Sequence, residues 1–312
     1  MTAPAPPASR GRRGRWRRPG GLAVSSALVA TLLVGPVVCL GESAPARASE
    51  VAAPVPRELR EFVGTWVPPV RVDAPALLAQ VAAAAGPAEA SVEVVVLDAA
   101  GRTLLATPTA DRPVLSASLV KVLVAQQLLA REAAGVVELG PSDVPRLERA
   151  VTASDDPATS QLWDLHDGAA LVTSAAASFG LTGTAPPDRA GQWGESVTTA
   201  ADVARFLAAL AEDPGAPGAA AVLDWMRAAT PVAADGFDQR FGLLAGGTPP
   251  GTAVKQGWMC CVAGQRQLHS AGVLPDGRVV VVLAEAPTAT SWAALVRAVD
   301  EATAALVAGT AA

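Results

Sequence analysis

Hydrophobic positions along the chain recur with two different periods, and the order in which the periods alternate predicts an architecture. Asp73 reads as the N-cap of a helix over 74–85. Residues 91–97 and 103–107, separated by Asp98-Ala99-Ala100-Gly101, read as the two strands of a hairpin. From residue 116 to about 251 the pattern turns helical, with alanine-rich periodic stretches near 117–132, 142–151, 157–164, 168–178, 199–212 and 217–229. Strand character returns at 253–259, 267–273 and 278–284, where Pro275-Asp276-Gly277 marks the last turn. An amphipathic helix over 291–307 closes the pattern, and no repeat of fixed period appears. Three late strands joined by short turns must be antiparallel neighbours, because parallel pairing needs a long crossover. The expected class is α+β of the sandwich type: a five-stranded, mainly antiparallel sheet flanked by N- and C-terminal helices. An all-helical lobe over about 113–250 is inserted into it.

The first 48 residues read as an export signal rather than as fold. Arg10, Arg12, Arg13, Arg15, Arg17 and Arg18 make a basic start, an apolar run covers 22–40, and Ala46-Arg47-Ala48 offers a cleavage site. Uncleaved, the run is just long enough to anchor the chain in a membrane. Arg17-Arg18 leaves the export route open, and Cys39 lacks the small preceding residues expected of a lipidation site. Residues 49–72 are proline-punctuated and expected to form a linker or arm, which leaves 73–312 as the folded domain. Removing 1–48 takes away seven arginines and one glutamate, so the net charge moves from −5 to −11. So acidic a domain has no electrostatic case for nucleic acid. Only Cys260 and Cys261 remain as cysteines, and adjacent residues cannot staple distant segments. A vicinal disulfide and a buried pair of thiols are both open.

Only two of the 24 basic side chains are lysines, Lys121 and Lys255. Arginine serves wherever a surface charge is wanted, so a retained lysine points to work that needs an amine able to lose its proton. Ser118 and Lys121 are three apart at a helix start, on one face, with Val120, Val122, Leu123 and Val124 around them to desolvate the amine. A hydroxyl beside a neutralised lysine is an activated nucleophile. Ser154-Asp155-Asp156 opens another helix, and Lys255-Gln256-Gly257 lies in an expected strand whose glycine allows close backbone approach. Taken singly, each has a plainer reading: a capping serine, a solvated acidic turn, a surface lysine.

Taken in order, S-x-x-K, S-D-D and K-Q-G resemble the three motifs of the penicillin-recognising serine hydrolases, the class A β-lactamases and their DD-peptidase relatives. The resemblance covers roughly 74–307, and the absence of tyrosine excludes relatives with a Tyr-x-Asn second motif. It implies Ser118 as the acylated nucleophile, Lys121 as its amine partner and Ser154 as a proton relay. It further implies Lys255 as the anchor for a substrate carboxylate, with Asp156, Gln256 and Gly257 beside the substrate. The backbone N–H groups of Ser118 and Trp258 would form the oxyanion hole. His269, with Arg266 as rival, would be a cationic helper on the next strand. No metal-ligand spacing and no cofactor are implied.

Three departures matter. Asp156 stands where the family usually has asparagine, and a carboxylate cannot donate to substrate and favours a charged Lys121. Gln256 replaces a hydroxyl residue. The segment 184–196 lacks the glutamate context that activates water for deacylation, its only acids being Asp188 and Glu195. The expected protein is an exported monomeric serine hydrolase of the extracellular, cell-envelope or periplasm-equivalent space, acting through an acyl-enzyme on β-lactams or D-Ala-D-Ala-like amides. A DD-peptidase with slow deacylation acting on peptidoglycan peptides, and a catalytically silent cell-wall binding protein, are the alternatives.

Overall fold

The computed structural model of the protein describes residues 72–311. The expected export segment, and the expected linker except Val72, lie outside the described residues. Helix α1 (Ala74–Ala85) begins where Asp73 accepts the Ala76 N–H at 3.1 Å. Strands β1 (Ser91–Leu97) and β2 (Thr103–Ala106) form the hairpin, and Asp98 fixes its turn by accepting the N–H groups of Ala100 and Arg102. A two-stranded patch, β3 (Val114–Leu115) with β4 (Val197–Thr198), brackets the helical segment. Between and after them run α2 (Val120–Ala133), α3 (Asp143–Thr152), α4 (Asp156–Leu165), α5 (Gly168–Phe179), α6 (Ala200–Glu212) and α7 (Ala219–Arg227). Strands β5 (Ala253–Val262), β6 (Gln265–Val273) and β7 (Val279–Pro287) follow, then α8 (Trp292–Gly309).

The five-stranded sheet has the order β2-β1-β7-β6-β5, and every pairing is antiparallel. Alternation along its central strands feeds two cores. Val95, Leu97, Val281 and Leu283 face the helices of the inserted segment, meeting Leu128, Leu171, Phe206 and Met226. Val94, Val96, Val280 and Val282 face the opposite way, onto Leu77 and Val81 of α1 and Leu295, Val299 and Leu306 of α8. A sheet covered on both sides needs apolar residues at consecutive positions, which is why 279–284 is an unbroken apolar run.

The differences from the expected elements are local. The helix expected at 117–132 opens with a 3-10 turn, Ala117–Leu119, before α2 begins. The pairing of β3 with β4 was not anticipated, since two-residue strands carry no periodicity. Cys260 and Cys261 are joined to each other on the exposed end of β5, so the buried-thiol alternative does not hold. Among the described residues, no helix is long and apolar enough to cross a membrane.

Candidate active site

Ser118 sits in the 3-10 turn that feeds α2, wedged between the helical segment and β5. Its neighbours Ala117, Leu119 and Val120 are buried, so the turn is pinned by packing rather than by a capping side chain. Ala117 adopts φ +46, a left-handed conformation that costs a non-glycine residue about 1–2 kcal/mol. Ser118 is only 4% exposed, and no described residue hydrogen-bonds its Oγ. β5 crosses immediately behind. A Cβ added at Gly257 would lie 3.3 Å from the Ser116 carbonyl oxygen and 3.4 Å from the Ser118 nitrogen, so the close approach favours glycine.

Lys121, in the first turn of α2, is fully buried because Val120, Val122, Leu123 and Val124 all enter the core around it. Its Nζ donates to the Ser154 carbonyl at 2.7 Å and to Asp156 Oδ1 at 2.6 Å, and it approaches Ser154 Oγ at 3.5 Å. The ring of Trp193 covers it, centroid 4.7 Å away. Burial depresses its pKa; the neighbouring Asp156, and more distantly Asp155 and Asp235, push in the opposite direction.

Ser154 lies in the connection between α3 and α4 and is itself left-handed, φ +54. Asp155 holds that connection: it caps α4 by accepting the Ala158 N–H at 2.9 Å and binds Arg149 at 3.0 Å. The relay hydroxyl is thus flanked by two amines. Lys255 Nζ donates to Ser154 Oγ at 2.6 Å and to the Gln256 carbonyl at 2.9 Å. With no carboxylate in contact and the charge of Lys121 close by, burial drives the Lys255 pKa well below the ordinary lysine value.

A cleft of about 360 Å³ opens above Ser118, within the range of small-molecule sites. Asp156, Ser160, Gln192, Trp193, Glu195, Trp258 and Met259 are among its walls. Trp193 donates its indole N–H to Ser160 Oγ at 3.2 Å, and Trp258 stacks on Phe237 with centroids 4.7 Å apart. Ser160 was within reach of sequence reasoning, lying one helical turn after Asp156. Trp193 was less so, since nothing in a Gly-Gln-Trp-Gly loop says where the ring will fall.

The structure brings Ser118, Lys121, Ser154, Asp156, Lys255 and Gly257 together, and Trp258 lines the cleft. Four expectations need correction. Lys255 does not face the cleft; its amine is enclosed beneath Ser154. Gln256 points away, its amide donating to the carbonyls of Gln239 and Phe241. Arg266 stacks on Trp292 at 5.1 Å, outside the cleft. His269 is no cationic helper: it is wholly buried, Ala284 donates its N–H to Nδ1 at 3.3 Å, and Nε2 lies 2.8 Å from the Leu115 carbonyl. Burial lowers its pKa, so the ring is neutral at physiological pH.

No model of a known protein family matches the chain. Proteins described as "Putative lipoprotein LppW", from Mycobacterium tuberculosis and Mycobacterium bovis, are 36% identical to it over 217 residues, covering 67% of this chain and 68% of theirs. Among solved structures, a β-lactamase from Desulfarculus baarsii superimposes with a TM-score of 0.61 at 22% identity, over 78% of this chain and 100% of that one. A β-lactamase from Sphaerobacter thermophilus gives 0.59 at 21% identity, over 77% and 98%. An acyl-enzyme complex of the penicillin-binding protein PBP-A with penicillin G gives 0.59 at 16%, over 78% and 98%. The sheet order, the flanking helices and this likeness agree, and the chain belongs to the LppW family, built on the β-lactamase and penicillin-binding-protein fold.

Proposed function

We propose that the protein is a cell-envelope serine acyl-transfer enzyme that forms an acyl-enzyme on Ser118 and releases it slowly. The observation that carries this reading is the unbonded Ser118 hydroxyl, open to a cleft and backed by two buried amines that share Ser154. In the forward step Ser118 Oγ attacks the scissile carbonyl carbon, and its proton passes to Lys121, whose own proton has first moved through Ser154 to Lys255. Ser154, within reach of both lysines, then delivers its proton to the leaving nitrogen and takes a replacement from Lys121 as the carbonyl–nitrogen bond breaks. The backbone N–H groups of Ser118 and Trp258 receive the developing oxyanion, a placement supported by the close packing of Gly257 against the Ser118 turn.

Slow release is favoured by what surrounds the site. Glu195, the cleft's other acid, is held by Arg189, whose Nε donates to it at 2.8 Å, and Asp188 does not line the cleft. Trp193 covers the Lys121 amine and shields it from water. These features favour a penicillin-binding or peptidase type of chemistry over rapid β-lactam hydrolysis. The lipoprotein name of the relatives favours attachment to the envelope.

The test is incubation of residues 49–312 with a large excess of a β-lactam, following intact mass and antibiotic absorbance. A persistent adduct, absent in Ser118→Ala, is expected. Fast loss of absorbance without an adduct would convert the reading to a β-lactamase. The absence of both would leave a silent binding protein.

A further inference from the structure

The charge at the mouth of the cleft is opposite to what an anionic acyl donor requires. The two side chains that would attract a carboxylate, Lys121 and Lys255, are each at most 1% exposed and do not line the cleft. Arg266 is occupied by Trp292 on another surface, and His269 is buried and neutral. The charged residues that do line the cleft are Asp156 and Glu195. Glu195 is neutralised by Arg189. Asp156 is different: its side chain is 55% exposed, only Oδ1 is engaged, by Lys121, and its second oxygen makes no hydrogen bond with any described residue. Asp235 adds a further negative charge close by, since it accepts the indole N–H of Trp258 at 3.2 Å and has no basic partner among the described residues.

The other walls suit the same sign. Trp193 and Trp258 border the cleft, and an indole face attracts cations. Ser118, buried and with its hydroxyl unpartnered, aims the reactive atom into this same space. Asp155 is tied to Arg149 and adds no free charge at the mouth. Two buried amines and one half-exposed carboxylate also balance poorly as two full cations. The geometry favours one ammonium, Lys121 paired to Asp156, with Lys255 carrying little charge.

We infer that the cleft selects acyl donors bearing an ammonium group, rather than a carboxylate, beside the scissile carbonyl, with Asp156 as the specificity-determining residue. This rests on the acyl-enzyme reading, and it names the substrate class of that same site. Asp156 would bridge the buried Lys121 and the substrate cation, one oxygen on each. The position normally suited to an amide donor becomes an acceptor, so the site rejects a group whose charge matches its own.

A matched series separates charge from reactivity: penicillin G, its methyl ester, and its aminoethyl amide, which carry a carboxylate, no charge and an ammonium beside one and the same ring. Ser118 acylation is timed by intact mass, and each rate is divided by that compound's rate of alkaline hydrolysis. The ammonium compound is expected to acylate up to about fivefold faster than penicillin G, with the ester between them, as one added charge contact of this half-exposed kind predicts. In Asp156→Asn the ratio should fall toward one or reverse, and Asp235→Asn should lower it by less. Taking a ratio removes any effect of the variant on Lys121 itself. Raised ionic strength should also shrink it. Equal corrected rates, or penicillin G as the fastest, would overturn the inference and leave the acyl-enzyme reading standing. No Ser118 adduct with any of the three would overturn both.

Discussion

Lys121 and Lys255 are equally buried and share one hydroxyl, yet they occupy opposite electrostatic settings. Lys121 is in contact with a carboxylate that is itself half in solvent, so its charge is offset and remains adjustable from outside. Lys255 has only a hydroxyl and a carbonyl in contact, and burial and the Lys121 charge disfavour its proton more than Asp156 favours it. Burial alone therefore does not assign roles to the two amines; the single exposed Asp156 does. Sequence reasoning gave Lys121 the task of losing a proton and Lys255 the task of holding a negative group. The environments point the other way for the resting state, with Lys255 the readier to be neutral. Acylation then requires either that substrate draw Asp156 away from Lys121 or that the proton move across Ser154 to Lys255.

The largest expected break in this comparison is Lys121→Arg. An arginine cannot be deprotonated in a protein, and its planar fork does not fit a pocket formed around one ammonium. Acylation should fall by about 10²–10⁴-fold, the usual scale for losing a positioned base, measured as the second-order rate of adduct formation. Acylation retained within about tenfold would remove Lys121 as the base.

A smaller effect is expected from Gly257→Ala, which touches neither amine. The new Cβ would press the Ser116 carbonyl and the Ser118 nitrogen at 3.3 and 3.4 Å, so either the strand or the nucleophile's turn must shift by a few tenths of an ångström. Stability should drop by about 1 kcal/mol and acylation by about tenfold, because a small displacement of the nucleophile is costly to a positioned reaction. Thermal unfolding beside adduct kinetics checks both. Loss of stability with unchanged kinetics would mean that the strand yields and that the oxyanion pocket is built elsewhere.

Much of this was legible in the sequence because it lives in local spacing. Asp73 and Asp155 mark helix starts by capping chemistry, Asp98 marks the hairpin turn, and the apolar run 279–284 marks a strand covered on both faces. Ser118, Lys121, Ser154 and Lys255 were legible as a set because a rare residue type fell inside ordered motifs. What was misjudged depends on direction. Alternation along β5 sends Lys255 and Gln256 to opposite faces, so both could not serve one cleft, and the period of two already contained that correction. The burial of His269 under Ala284 and Leu115, and the fall of Trp193 across Lys121, depend on contacts between segments far apart in sequence, which no local pattern carries.

The finest test of the comparison is the pH dependence of stability at Lys255. Its folded pKa lies well below the unfolded value of 10.5, so over the interval between them the unfolded chain binds more protons than the folded one. Stability contributed by this group therefore rises with pH across that interval and is lost as pH falls from about 10.5 toward the folded value. Lys255→Met removes the linkage but also leaves the Gln256 carbonyl without this donor and Ser154 Oγ with only the longer contact from Lys121, a cost of about 1–3 kcal/mol. At neutral pH the relief of desolvation offsets that cost, and the variant should lie within about 1 kcal/mol of the parent. As pH rises toward about 10.5 the parent should gain on the variant, with a slope that also carries the coupling of Lys255 to Lys121. Urea unfolding of both proteins across that range reads the slope directly. A flat difference would show that Lys255 keeps its proton in the fold, and the contrast between the two lysines would then have to be drawn from hydrogen bonding instead of charge.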